Sequence, residues 1–138
     1  MKKVTITTLV CAVALAFIFT LSSCEKDKGT PPLITFISTA GYFHGDTTLT
    51  SGSTIKIGVN TQLAESGDVL KTLNLSKSID GAADATVSTT SIPTAQQDNY
   101  TQTDSLVLGS AGHTERYTYT VTNRDGLTNS VKLTVTVH

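Results

Sequence analysis

From Leu33 to the end of the chain the apolar residues recur at every second position, and that period is what most constrains the fold. Successive side chains on an extended strand point to opposite faces, so a strict alternation places one face in a core and the other in water. The last third of the chain shows it best. Tyr117, Tyr119 and Val121 alternate with Thr118, Thr120 and Thr122, and Val131, Leu133, Val135 and Val137 alternate with Lys132, Thr134 and Thr136. Between the two runs, Asn123-Arg124-Asp125-Gly126 supplies a Gly-containing hairpin turn.

The same period marks weaker strands upstream. Ile34 and Phe36 begin a short one, which Thr47 to Leu49 could continue after the interruption at Gly41 to Asp46. Ser53 to Asn60 sets Ile55, Ile57 and Val59 on one side. Leu73, Leu75 and Ile79 share the face of a further strand, in which Lys77 falls in the apolar register. A charge there places that strand at a sheet edge or ends it near Leu75. Thr86 to Ile92 and Ser105 to Leu108 complete the set, stopped by Pro93 and Gly109. No stretch after Cys24 repeats at helical spacing. The expectation is an all-β fold of about seven antiparallel strands packed as a sandwich. Asp98 to Asp104 reads as a polar loop, because Tyr100 and Thr103 stand where a calcium loop needs an oxygen ligand and a glycine.

The amino terminus follows a different logic. Lys2 and Lys3 precede a mostly apolar run from Val4 to Thr20, and Leu21-Ser22-Ser23-Cys24 closes it. A basic start, an apolar middle and small residues are the parts of a secretory signal. The run is shorter than the roughly 20 apolar residues of a permanent membrane span. Leu-Ser-Ser-Cys resembles the lipobox of bacterial lipoproteins. That resemblance implies removal of residues 1–23 and acylation of Cys24 with palmitate-type chains, which hold the protein on a membrane. Residues 24–32 then form a lipidated tether, and 33–138 a single domain. Glu25-Lys26-Asp27-Lys28 is similar to the surface-export context of Bacteroidota lipoproteins, with Lys26 interrupting the acidic run. The expected location is the cell envelope, on the outer membrane and displayed at the cell surface. At about 3.3 Å per residue, Glu25 to Pro32 reach on the order of 25 Å, so the domain stays close to the bilayer.

Composition narrows the rest. The chain has two cysteines, Cys11 in the discarded segment and Cys24 at the lipid. The mature domain therefore has no disulfide and no thiolate metal site, and its stability rests on a hydrophobic core. The net charge of −1 comes with no basic cluster after the signal, which leaves nucleic acid without an electrostatic footprint. Ser and Thr supply roughly a quarter to a third of the mature chain, as β-branched Thr suits the wet face of a pleated sheet.

The segment Arg116 to Thr128, followed by Val131 to Val137, resembles the closing hairpin of bacterial immunoglobulin-like modules of the PKD, cadherin and Big types. The resemblance implies an immunoglobulin-like sandwich and a binding or adhesion role, with one of Tyr117 and Tyr119 as a tyrosine corner. Cadherin-type calcium sites need clustered acids at a module junction. Here Asp125 stands beside Arg124, so calcium does not follow.

Candidate chemistry is sparse. The histidines are His44, His113 and His138, and no nucleophile elbow, zinc-protease or phosphate-loop motif is present. The reading is a non-catalytic binding or adhesion module with no cofactor, no metal and no catalytic residue. Its expected partners are the membrane, through Cys24, and an unidentified protein or glycan; an accessory subunit of an outer-membrane assembly for glycan capture is the alternative. Tyr42, Phe43 and His44 form the aromatic cluster of a loop, serving either as a ligand contact or as a plug closing one end of the sandwich. Asp46-Thr47-Thr48 and Asp104-Ser105-Leu106 resemble the O-glycosylation pattern of Bacteroidota secreted proteins, at Thr47 and Ser105. An immunoglobulin-type path puts Thr61 to Asp68, Pro93 to Gln102 and Asn123 to Gly126 at the tethered end. It puts Thr50 to Gly52, Asp80 to Asp84, Gly109 to Thr114 and His138 at the other.

Overall fold

The computed structural model describes residues 29–138. The signal segment, Cys24 and most of the tether lie outside the described residues. Eight strands follow in order: β1 (Leu33–Phe36), β2 (Thr47–Leu49), β3 (Thr54–Gln62), β4 (Leu70–Ile79), β5 (Ala85–Ser91), β6 (Asn99–Val107), β7 (Thr114–Asn123) and β8 (Thr128–Val137), with a 3-10 turn at Thr94–Gln96 between β5 and β6. They form a three-stranded sheet, β1-β3-β6, and a five-stranded sheet, β2-β8-β7-β4-β5. The all-β sandwich expected from the period-two pattern is the architecture observed.

The inner faces are the alternating apolar positions. Ile55, Ile57 and Val59 of β3 meet Leu73, Leu75, Tyr117, Tyr119, Val121, Leu133, Val135 and Val137 from the other sheet, all almost fully buried. At roughly 25 cal/mol per Å² of apolar surface removed from water, this shared face is the main stabilising term in a domain without cross-links.

Four details depart from the sequence reading. Thr47–Leu49 does not extend β1. It crosses to the other sheet and pairs parallel with β8, Thr47 opposite Val135 and Leu49 opposite Val137, so one pair in the sandwich is not antiparallel. Asn99–Asp104 is not the expected polar loop, and β6 runs from Asn99 to Val107 along the whole of β3. Its inward positions are Tyr100, Gln102, Asp104 and Leu106, so polar side chains break the apolar alternation that marks a strand. Thr61 and Gln62, likewise, belong to β3.

The fourth concerns Lys77. β4 neither ends at Leu75 nor lies at an edge; it continues to Ile79 between β7 and β5. Lys77 is opposite Tyr117, and its ammonium lies 2.7 Å from the Glu115 carboxylate. An inward charge is tolerated in a central strand because an inward opposite charge stands beside it. The strand then turns at Asp80-Gly81, with φ of 51° and 77° and Ala82 N–H donating to the Ile79 carbonyl. Two consecutive positive φ values define a type I′ turn, for which Asp-Gly is a favoured pair.

Loops gather at two ends. Leu63 N–H donates to Asp98 O, Leu70 N–H to Gln97 O, and Arg124 N–H to Val69 O, which joins the β3–β4, β5–β6 and β7–β8 connections at one end. At the other end Ser51 N–H donates to His138 O, Gly52 N–H to Leu108 O, Gly112 N–H to Val137 O, and Asp80 N–H to Thr114 O.

Candidate functional site

The incoming chain is fixed to the first of these ends. Thr30 Oγ1 donates to Glu65 Oε2 at 3.0 Å, and Asn129 Nδ2 donates to the Pro32 carbonyl at 3.0 Å. A Cβ at Gly29 would stand 3.1 Å from Leu127 Cδ1 and 3.3 Å from Glu65 Oε1, so the glycine sits close beside both side chains. Beneath these contacts a buried pair ties the loops together. Asn123 Nδ2 donates to Asp68 Oδ2 at 2.5 Å, Asn123 Oδ1 accepts Leu127 N–H at 2.7 Å, and Asp68 Oδ1 accepts Val69 N–H at 2.7 Å.

The far end holds a connected group of charged side chains. Glu115 is almost completely buried, yet it holds three groups together. One oxygen takes the Lys77 ammonium and the Gly109 N–H, and the other accepts the Tyr117 hydroxyl at 2.5 Å. Burial pushes the Glu115 carboxyl up, but Lys77, Tyr117 and the Gly109 N–H together outweigh it and hold it below the ordinary carboxylate range. Burial, then the adjoining Glu115 carboxylate, raises the Tyr117 phenol. The same order of causes, with Asp104, raises that of Tyr119.

Next to this cluster, His113 Nδ1 lies 2.6 Å from Asp80 Oδ2, and Asp80 Oδ1 accepts the Thr114 N–H at 2.8 Å. That backbone bond, and then His113, lower the Asp80 carboxyl. Lys77, Ile79, Gly109, Ser110, His113 and Glu115 surround an open cavity of about 320 Å³. Arg116 pairs with Asp84 at 2.8 Å on the neighbouring surface. The far end thus presents fixed charges of both signs around a small recess. Nothing in the sequence brought Lys77, Asp80, His113 and Glu115 together, because they stand on different strands and turns. Among the described residues, no group of three His, Cys, Asp or Glu side chains could hold a metal ion.

Both core tyrosines donate to side-chain carboxylates, Tyr119 to Asp104 Oδ2 at 2.8 Å and Tyr117 to Glu115. A tyrosine corner bonds to backbone, so neither hydroxyl makes one. Asp104 also accepts Gln102 Nε2 at 3.0 Å, which explains how β6 carries polar side chains on its inner face.

Tyr42, Phe43 and His44 part company. The segment after β1 folds back along β3, with Ile37 N–H donating to Gly58 O and Phe43 N–H to Lys56 O. Phe43 turns inward and packs on the hydrophobic core, as a plug would. Tyr42 lies on the outer face of the three-stranded sheet, its ring against Gly58, where a Cβ would stand 2.8 Å from Cε1. The hydroxyls of Tyr42 and Thr103 are 3.4 Å apart, and Lys56 Nζ lies 4.6 Å from the Tyr42 ring centre. The Thr103 bond, and then Lys56, lower the Tyr42 phenol. His44 is exposed and touches the Tyr42 carbonyl through Nδ1. Of the two sequence-marked glycosylation positions, Ser105 is exposed and Thr47 half-buried. The motif aspartates are engaged elsewhere: Asp104 as above, and Asp46 through Oδ1 to the Thr134 N–H.

No protein-family model matches the chain, and no curated protein matches it. Among solved structures, a superoxide reductase (neelaredoxin) from Ignicoccus hospitalis is similar at 9% identity and a TM-score of 0.50, over 79% of this chain and 81% of that one. The sporulation control protein Spo0M from Bacillus subtilis is similar at 11% identity and a TM-score of 0.46, over 79% of this chain and 50% of that one. At such identities the first likeness is one of fold alone.

Proposed function

We propose that this is a lipid-anchored envelope lipoprotein whose sandwich is a non-catalytic binding or adhesion module that presents its far end away from the membrane. The observation that carries this reading is the attachment of residues 29–32 to Glu65, Leu127 and Asn129 at one end. With the acylated cysteine only a few residues upstream, that end stays near the bilayer. The partly exposed Asp80–His113 and Asp84–Arg116 pairs are then the first that a partner from solution meets. The lipobox-like Leu21-Ser22-Ser23-Cys24 supports the anchor. Three acyl chains, at about 0.8 kcal/mol per buried methylene, would make it effectively permanent.

A second reading, an accessory subunit of a larger membrane assembly, is favoured by β5. This strand closes one edge of the five-stranded sheet. It carries no charge from Ala85 to Ser91, and Val87 and nearby Ile79 are about half exposed, at 48% and 45%. Uncharged free edges accept a strand from a partner.

Thiol labelling on intact cells tests the orientation cleanly, since the mature domain has no other free cysteine. Ala83→Cys at the far end is expected to react with a membrane-impermeant maleimide well before Ser66→Cys at the N-terminal end. A photo-cross-linker carried at position 83 is expected to capture the partner. Faster reaction at position 66 would contradict the orientation, and labelling at neither position would remove surface display.

A further inference from the structure

The outer face of the three-stranded sheet carries a second feature, separate from the charged far end. Two cross-strand rows stand there side by side. Leu33, Gln62 and Asn99 form one row, and Thr35, Asn60 and Thr101 the next. All six side chains are exposed, and together they line a groove of about 420 Å³. That volume falls within the range of small-ligand sites, about 300–1,000 Å³. On the following row, where Gly58 is opposite Thr103, the Tyr42 ring covers Gly58.

The chemistry of the groove is selective. Neither row holds an ionisable side chain, and the nearest cation along β3 is Lys56, beyond Gly58. An anion would find no counter-charge. An apolar ligand would strip water from three amides and two hydroxyls without replacing it. An extended peptide would pair with the free outer edges of β1 or β6 and not on this face, where the backbone groups of β3 are committed on both sides. A polyhydroxylated neutral ligand meets none of these objections. Asn and Gln each offer a donor pair and an acceptor, the same mixture that a sugar hydroxyl requires. Thr101 Oγ1 donates to Asn60 Oδ1 at 2.8 Å, which orients that amide and leaves its Nδ2 outward. Leu33, 50% exposed at the rim, provides an apolar contact for the C–H face of a pyranose ring. Strand spacing of about 4.8 Å and a same-face repeat of about 6.7 Å give the array the footprint of a short oligosaccharide.

We infer that this groove is a binding site for a neutral oligosaccharide, with Asn60 and Gln62 as its central hydrogen-bonding residues. The inference rests on the binding-module reading and names a ligand class and a site for it.

Saturation-transfer NMR on the full lipidated chain in detergent micelles tests it. The probes are neutral gluco-, xylo-, manno- and galacto-oligosaccharides, with oligogalacturonate and a heparin fragment as charged comparisons. At least one neutral oligosaccharide is expected to receive transfer, and the charged ones none. Asn60→Ala and Gln62→Ala, both exposed and outside the core, are each expected to weaken binding by about tenfold, with thermal midpoints close to the parent. His113→Ala at the far end is expected to bind as the parent does. Transfer to no neutral saccharide, or only to charged ones, would overturn the site. So would binding that Asn60→Ala and Gln62→Ala leave intact. Loss with His113→Ala alone would move binding to the far end, ending the groove assignment while sparing the binding module. Failure of the position 83 cross-link would instead count against the module's presentation and leave the groove standing.

Discussion

Replacing Lys77 with Met is expected to destabilise the domain by about 3 kcal/mol at neutral pH. Removing one partner of a buried ion pair costs about 3–5 kcal/mol, because the remaining charge is left without compensation. The Lys77 side chain is 23% exposed and that of Glu115 2%, so water reaches one side of the pair and the lower end of that range applies. The pH dependence gives the effect its signature. In the parent, the Glu115 carboxyl is held below its ordinary value. It therefore contributes stability that is present above the unfolded-state pKa and is lost as pH falls through the folded one. In Lys77→Met the opposing effect of burial gains on the two donors that remain, Tyr117 and the Gly109 N–H. Protonation then relieves the unpaired charge, and the gap between variant and parent narrows as the pH falls into the acid range. Urea unfolding from pH 3.5 to 8 measures this. A gap below about 1 kcal/mol at pH 7, or one that widens in acid, would show that Lys77 does not neutralise Glu115.

The second large effect is expected at the N-terminal end. Asn123→Ala removes the donor to Asp68 and the acceptor for Leu127 N–H, at a residue 2% exposed. A hydrogen bond to a charged group contributes about 1.5–3 kcal/mol, and a buried group left unsatisfied costs more than its bond contributed. A loss of about 2–3 kcal/mol follows. Asp68→Ala in the same background removes the orphaned carboxylate, so the two changes are expected to be less than additive by at least about 1 kcal/mol. Additivity within about 0.5 kcal/mol would mean that the pair is not the tie it is described as.

These two sites also show what the sequence could convey. The β7–β8 hairpin was legible because its inward residues from Tyr117 to Val121 and from Val131 to Val137 are apolar and those between them polar, with a turn of matching chemistry between; the inward Glu115 and Asn123 at the two ends of β7 were not. β3 was legible for the same reason. β6 was only half legible: Gln102 and Asp104 point inward, and the tyrosine that makes Asp104 acceptable comes from β7. Lys77 misled for a related reason. Its register was right and its position within the strand was right, but an inward lysine reads as an edge signal until Glu115, 38 residues later, is placed beside it. Pairing between strands far apart in sequence is a property of the fold, which no local pattern contains. β2 was legible as a short extended stretch and not as a crossing, since three residues carry no information about which sheet they join. Of the aromatic cluster, the sequence located the loop correctly. Only the backbone path along β3 separates Phe43, which enters the core, from Tyr42, which settles on Gly58. The grouping of the loops into a near and a far end was expected from an immunoglobulin-type path, and it matches the observed ends apart from the residues that β3 and β6 reclaim.

The proposed role depends on where the sandwich is held, and one experiment addresses that directly. Cells grown with radiolabelled palmitate are expected to label the parent chain and to leave Cys24→Ser unlabelled at equal expression. Label retained by Cys24→Ser would contradict attachment at this cysteine and, with it, the assignment of a near and a far end.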